Sequence, residues 1–202
     1  LEAGSSIDAR GGTGGGQVHL DASAGEALRP EDSDAPTETV SRIQAAGRIN
    51  VSSGGGKGGR VKIEGDNIEL ESTAEVDASG ATGGGDVLVG GDWQGGANDE
   101  RRVLDSPNAM TEATTVTMAS GATIDASATD NGDGGTVVVW SDVSNPDSVT
   151  SVHGTIYAKG GLNGGDGGQI ETSGATLTTD GVRGSAASRG GEAGEWLFDP
   201  YD

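Results

Sequence analysis

Cysteine is missing from all 202 residues, and with it go disulfide scaffolds, thiolate metal centres and cysteine nucleophiles. Histidine is nearly missing: His19 and His153 stand alone, too few for a histidine-rich metal cluster. Basic charge is scarce. Twelve Lys and Arg face 32 Asp and Glu, and the formal net charge of −20 argues against a nucleic-acid partner. No apolar run approaches the roughly 20 residues of a membrane helix, and no signal peptide precedes Leu1, so no membrane insertion is expected. Large apolar side chains are sparse as well. Leu, Ile, Val and Phe total 34 residues, fewer than the roughly 20% below which a highly charged chain is usually disordered.

What is present argues for order. Val and Ile outnumber Leu by 24 to nine, a β-branched bias suited to pleated surfaces. They recur in a plan of short strand, glycine-rich turn and second strand. Ile7-Asp8-Ala9 leads through Gly11–Gly16 to Val18-His19-Leu20, and Ile49-Asn50-Val51 through Gly54–Gly59 to Val61-Lys62-Ile63. Val76-Asp77-Ala78 leads to Val87-Leu88-Val89, Ile124-Asp125-Ala126 to Val137-Val138-Val139, and Ile156-Tyr157-Ala158 to Ile170. A decayed sixth copy starts at Val182 and reaches Trp196-Leu197. A further β pattern (Ile68-Glu69-Leu70, Val116-Thr117-Met118, Val149–Val152) precedes several copies. Three strands per turn of about 26 residues predict an all-β, single-stranded parallel β-helix of about five to six coils over residues 1–202. Glycine supplies positive φ at the corners and leaves no side chain to strike the next coil. A flexible linker would not alternate as Arg60-Val61-Lys62-Ile63-Glu64 does, and a β-sandwich would not need a glycine turn after each first strand. Two loop-like stretches, 24–44 and 92–112, read as surface insertions, where solenoids commonly bind.

The chemistry-bearing candidates are few. Gly164-Gly165-Asp166-Gly167-Gly168-Gln169-Ile170 departs from the calcium nonapeptide at its ligand position. Asp8, Asp77 and Asp125 form a column that Asn50 interrupts and Tyr157 ends, read as solvated charge in preference to stacked calcium ligands. No nucleophile elbow, zinc-protease motif or P-loop occurs, so no catalytic, cofactor-binding or metal-ligating residue is assigned and no enzymatic activity is expected. Asn50-Val51-Ser52 is a formal glycosylation sequon inside a predicted strand. Trp93, at an insertion, and Trp140, at a strand end, are the candidates for stacking on sugars, although packing against loops or core ends is favoured for both. Trp196, Leu197 and Phe198 are expected to cap the last coil.

Several segments occur in a particular order: Asp77-Ala78-Ser79-Gly80, then Gly83-Gly84-Gly85-Asp86-Val87-Leu88-Val89-Gly90-Gly91-Asp92-Trp93, Gly134-Gly135-Thr136-Val137-Val138-Val139-Trp140, Glu171-Thr172-Ser173-Gly174 and Glu195-Trp196-Leu197-Phe198-Asp199-Pro200. In this the chain resembles the filamentous-haemagglutinin-like large exoproteins of Gram-negative two-partner secretion, which include high-molecular-weight adhesins and haem-utilisation exoproteins. The resemblance implies a right-handed coil that forms a segment of a longer protein, export through an outer-membrane secretion pore and folding at the bacterial cell surface. The role it implies is adhesion or biofilm formation through a polysaccharide or protein ligand. Alternatives are a structural filament stacking end to end on itself and haem acquisition. The family's amino-terminal secretion domain carries an Asn-Pro-Asn type motif, from which Asn145-Pro146-Asp147 departs, so the chain is expected to lie outside that domain.

Overall fold

The computed structural model describes residues 1–22, 41–107 and 109–200. Among the described residues, seventeen strands wind in repeating triplets. The first coil comprises β1 (Ser6–Asp8), β2 (Gln17–Asp21) and β3 (Arg42–Ala45). The second comprises β4 (Arg48–Asn50), β5 (Arg60–Glu64) and β6 (Asn67–Leu70). The third has β7 (Glu75–Asp77), β8 (Asp86–Val89) and β9 (Thr115–Met118), and the fourth β10 (Thr123–Asp125), β11 (Thr136–Trp140) and β12 (Val149–Val152). Then follow β13 (Thr155–Tyr157), β14 (Gln169–Gly174) and β15 (Thr176–Thr178), and last β16 (Arg183–Ser185) and β17 (Glu195–Pro200). Each strand pairs in parallel with its counterpart one coil away, giving two six-stranded sheets and one five-stranded sheet. This is a parallel β-helix, as the repeat predicts.

In-register pairing stacks like on like. Ile7, Ile49, Val76, Ile124 and Ile156 form one column. Val18, Val61, Val87, Val137, Ile170 and Trp196 form another. The β-branched side chains of both columns fill a narrow interior, and from the second coil to the fifth their members are almost wholly buried. The sixth copy is displaced from its expected start: Gly184, not Val182, lies opposite Ile156. The reason is volume. A Cβ at Gly184 would stand 2.1 Å from the Ile156 carbonyl oxygen and 2.8 Å from the Trp196 indole, so the neighbouring coil and the large side chain beside it both require glycine here.

The aspartate column is a turn device. Asp8, Asn50, Asp77 and Asp125 each accept the N–H two residues ahead, from Arg10, Ser52, Ser79 and Ser127 respectively, at 2.9–3.1 Å. These are Asx turns, which bend the chain out of the first sheet, so the carboxylates are used locally rather than only as solvated charge. Asn50 does the same job as the aspartates: it is buried, and its side-chain oxygen accepts the Ser52 N–H. Of the expected insertions, 24–44 falls mostly on residues outside the described ones. Its end, however, is not loop: Arg42–Gln44 run in β3, where Ile43 lies opposite Ile68.

Candidate functional site

The stretch between β8 and β9 leaves the coil and folds back over the outer face of the second sheet. Its exit is Gly90-Gly91. A Cβ at Gly90 (φ +76°) would lie 2.2 Å from the Trp140 carbonyl, and one at Gly91 2.3 Å from the Trp140 ring. Two glycines are thus needed for the backbone to cross this indole. The lobe closes where it opened, Ala113 N–H donating to the Gly90 carbonyl at 2.9 Å.

Inside the lobe, Asp92 caps a 3₁₀ turn at Trp93–Gly96 and accepts the N–H groups of Trp93, Val103 and Leu104 at 2.7–2.8 Å. Trp93 is 1% exposed and packs in a second hydrophobic cluster with Leu88, Val138, Met110 and Trp140. Neither Trp93 nor Trp140 therefore presents an open ring face for stacking on a sugar. Both are covered because the outward positions of β8 and β11 carry Leu88 and Val138 and must themselves be shielded from water. Arg101 lies over the Trp93 ring at 5.5 Å and pairs with Glu195 of β17 at 2.6 Å, tying the lobe to the last coil.

Glu171 is the deepest polar anchor. Fully buried on the outward side of β14, it accepts the Gln94 N–H at 2.8 Å and the Ser173 hydroxyl at 2.9 Å. Burial pushes its carboxyl up to about 7, opposed by those two hydrogen bonds and reinforced by Asp199 and Asp92. Gln94 sits in the left-handed region (φ 50°, ψ 44°) to deliver that N–H. The rest of the Glu-Thr-Ser-Gly run also has local duties. Thr172 points inward and accepts from the Trp196 indole N–H at 3.4 Å, while a Cβ at Gly174 would crowd the hydroxyls of Ser141 and Thr150 at 2.6 and 2.9 Å. Trp196 packs against the main core and stacks on Phe198 at 4.8 Å, whereas Leu197 faces the outer cluster. The three residues therefore serve two faces of β17.

Between the lobe and the first two coils lies an open groove of about 310 Å³, lined among others by Gln17, His19, Arg60, Lys62, Leu104 and Ala109. Its cations are already partnered. Arg60 pairs with Asp86 at 3.1 Å, and Lys62 pairs with Glu64 at 2.7 Å and donates to the Ala109 carbonyl at 3.1 Å. His19 Nε2 lies 3.0 Å from Glu64 Oε2. The other histidine, His153, follows β12 and has its Nδ1 2.8 Å from the Asp180 carbonyl, so the two imidazoles belong to different parts of the coil. Burial disfavours ionised Glu64, but hydrogen bonds from Lys62, the Thr111 N–H and His19 outweigh it and hold the carboxyl below its usual range.

Replacing Asp92 by Ala strands three N–H groups in a water-poor lobe, at a local cost of about 1–3 kcal/mol for each left unpaired. The expected result is loss of hydrogen-exchange protection at Val103 and Leu104, with β5, β8 and β11 unchanged. Protection retained at both amides would show that the carboxylate does not hold the lobe.

The fold defines a parallel β-helix with a clasped surface lobe. Among solved structures it is similar to the crystal structure of the HMW1 secretion domain from Haemophilus influenzae, with a TM-score of 0.57 and 26% sequence identity. The match covers 98% of this chain and 46% of that one, so the chain spans about half of that domain's length. No family model and no curated protein sequence matches the chain. That structure is itself a secretion domain, so the comparison gives no support to placing the chain outside such a domain. Asn145-Pro146-Asp147, the basis for that expectation, lies in the turn joining β11 to β12.

Proposed function

We propose that the chain is part of a secreted exoprotein that leaves a Gram-negative cell through an outer-membrane pore and folds outside it, where its β-helix acts as a rigid support for adhesion. The observation that carries this reading is the likeness of nearly the whole chain to a secretion domain, at 26% identity, on a coil-by-coil paired architecture. Absence of cysteine suits passage through an oxidising compartment in an unfolded state. Among the described residues no helix is long and apolar enough to cross a membrane.

The groove beside the lobe supports attachment better than the tryptophans do. It brings Gln17, His19, Arg60 and Lys62 to one open surface beside Asp105. Gln17 and the N–H groups that Arg60 and Lys62 do not spend on Asp86, Glu64 and the lobe carbonyls suit the hydroxyl oxygens of an extracellular polysaccharide. Binding of the labelled chain to an array of acidic and neutral bacterial and host glycans tests this. Saturable binding that falls at least tenfold in an Arg60→Ala, Gln17→Ala double variant is expected. Absence of saturable binding, or binding indifferent to both substitutions, would remove the groove from the account.

A further inference from the structure

The parallel pairing of β2 and β5 brings together three side chains distant in sequence. His19 and Asp21 alternate onto the outward face of β2, and Glu64 lies directly opposite Asp21 on β5. One donor atom from each lies within 4.8 Å of the others. The imidazole is 46% exposed and open to entry from solvent, whereas the Glu64 side chain is 9% exposed and fixed at its inner oxygen by the Thr111 N–H at 2.6 Å. The lobe therefore holds the Glu64 donor in place, and the other two lie beside it on β2.

We propose that His19, Asp21 and Glu64 form a binding site for a divalent transition-metal cation of the zinc class. One imidazole and two carboxylates, with solvent completing the shell, is a donor set zinc accepts, and the imidazole discriminates against calcium and magnesium, which take oxygen ligands. Ligand distances of about 2.0–2.2 Å require the three donors to draw inward. The exposed His19 side chain has the rotamer freedom to do so while the anchored carboxylate stays where it is.

Lys62 is the competitor. Its ammonium sits 2.7 Å from Glu64 Oε2, the oxygen that also faces His19, so a metal must displace it. The displaced group already donates to the Ala109 carbonyl at 3.1 Å and keeps that bond. The site is thus a modest binder in which cation replaces cation. Because Glu64 also holds Thr111, an occupied site clips the first coil to the second and to the lobe. This inference does not depend on the adhesive reading.

The test is calorimetric titration of the untagged chain with zinc chloride, in parallel with thermal melts. One zinc per chain with a micromolar dissociation constant, a raised melting temperature and no comparable response to calcium is expected. His19→Ala, on an exposed position that leaves the interior intact, should weaken binding at least tenfold. Lys62→Met should tighten it about tenfold, an effect that casual surface binding would not show. Binding that survives His19→Ala, binding unaltered by Lys62→Met, an equal response to calcium, or no saturable heat up to millimolar zinc would each overturn the site.

Discussion

Gly84→Ala is expected to destabilise the β-helix by about 3 kcal/mol or more, an overpacking cost at the top of the usual range because the atoms in the way are backbone. The added Cβ would lie 1.8 Å from the Ala126 carbonyl oxygen and 2.3 Å from the Gly135 nitrogen. Those two atoms are hydrogen-bonded to each other at 2.7 Å in the next coil, so relief requires breaking the turn that launches β11. Gly135→Ala meets the Gly85 carbonyl at 1.8 Å and should fail similarly. Neither glycine has a left-handed φ, so the requirement is close approach of coil to coil and not backbone freedom. The contrast is Gly54→Ala, where nothing lies within 4 Å of the new methyl. That change should alter stability by no more than about 0.5–1 kcal/mol, with a small gain from the stiffer unfolded chain. Urea unfolding followed by far-UV circular dichroism measures all three. Equal effects at Gly84 and Gly54 would mean that the coils are not stacked through these corners.

This contrast also marks where the sequence is readable. A repeated Ile/Val-x-Ala followed by paired glycines carries both the strand period and the corner, and the columns from Ile7 to Ile156 follow from it. β3 and β15 carry little sequence signal because Arg42-Ile43-Gln44-Ala45 borders a proline-bearing stretch and Thr176-Leu177-Thr178 offers a single large apolar residue. The burial of Trp93 and Trp140 had a signal that position in a loop obscured. Val61-Lys62-Ile63 alternates, as a strand with one wet face must, but Val87-Leu88-Val89 and Val137-Val138-Val139 do not. An unbroken apolar run predicts cover on both faces, and the stretch after β8 is that cover. Lys62 and Leu88 lie opposite one another, so the change from wet to covered falls between β5 and β8. By contrast, His19 and Glu64 are 45 residues apart, and their meeting depends on a register that no local pattern encodes.

The same buried lobe gives a pH dependence opposite in sign to ordinary acid denaturation. Glu171 has its folded-state pKa raised from 4.5 to about 7. Its contribution to stability is therefore fully present below about pH 4.5 and is lost as pH rises through 7, because the folded protein keeps a proton that the unfolded chain has released. The interval corresponds to about 3 kcal/mol. Glu64 works the other way: its pKa is lowered on folding, so its contribution is lost as pH falls. Comparison with Glu171→Gln cancels that background. The amide oxygen can still accept the Gln94 N–H, and the Ser173 hydroxyl can rotate to accept in turn. Between pH 4.5 and 8 the wild-type chain should lose about 3 kcal/mol relative to the variant, read from urea midpoints at several pH values. If ionised Glu171 opens the lobe before the coil unfolds, the loss appears as faster exchange of the Gln94 amide and a red shift of Trp93 fluorescence in the wild type alone. Parallel stability curves with no such local change would place Glu171 in contact with water, and with it the lobe that covers it.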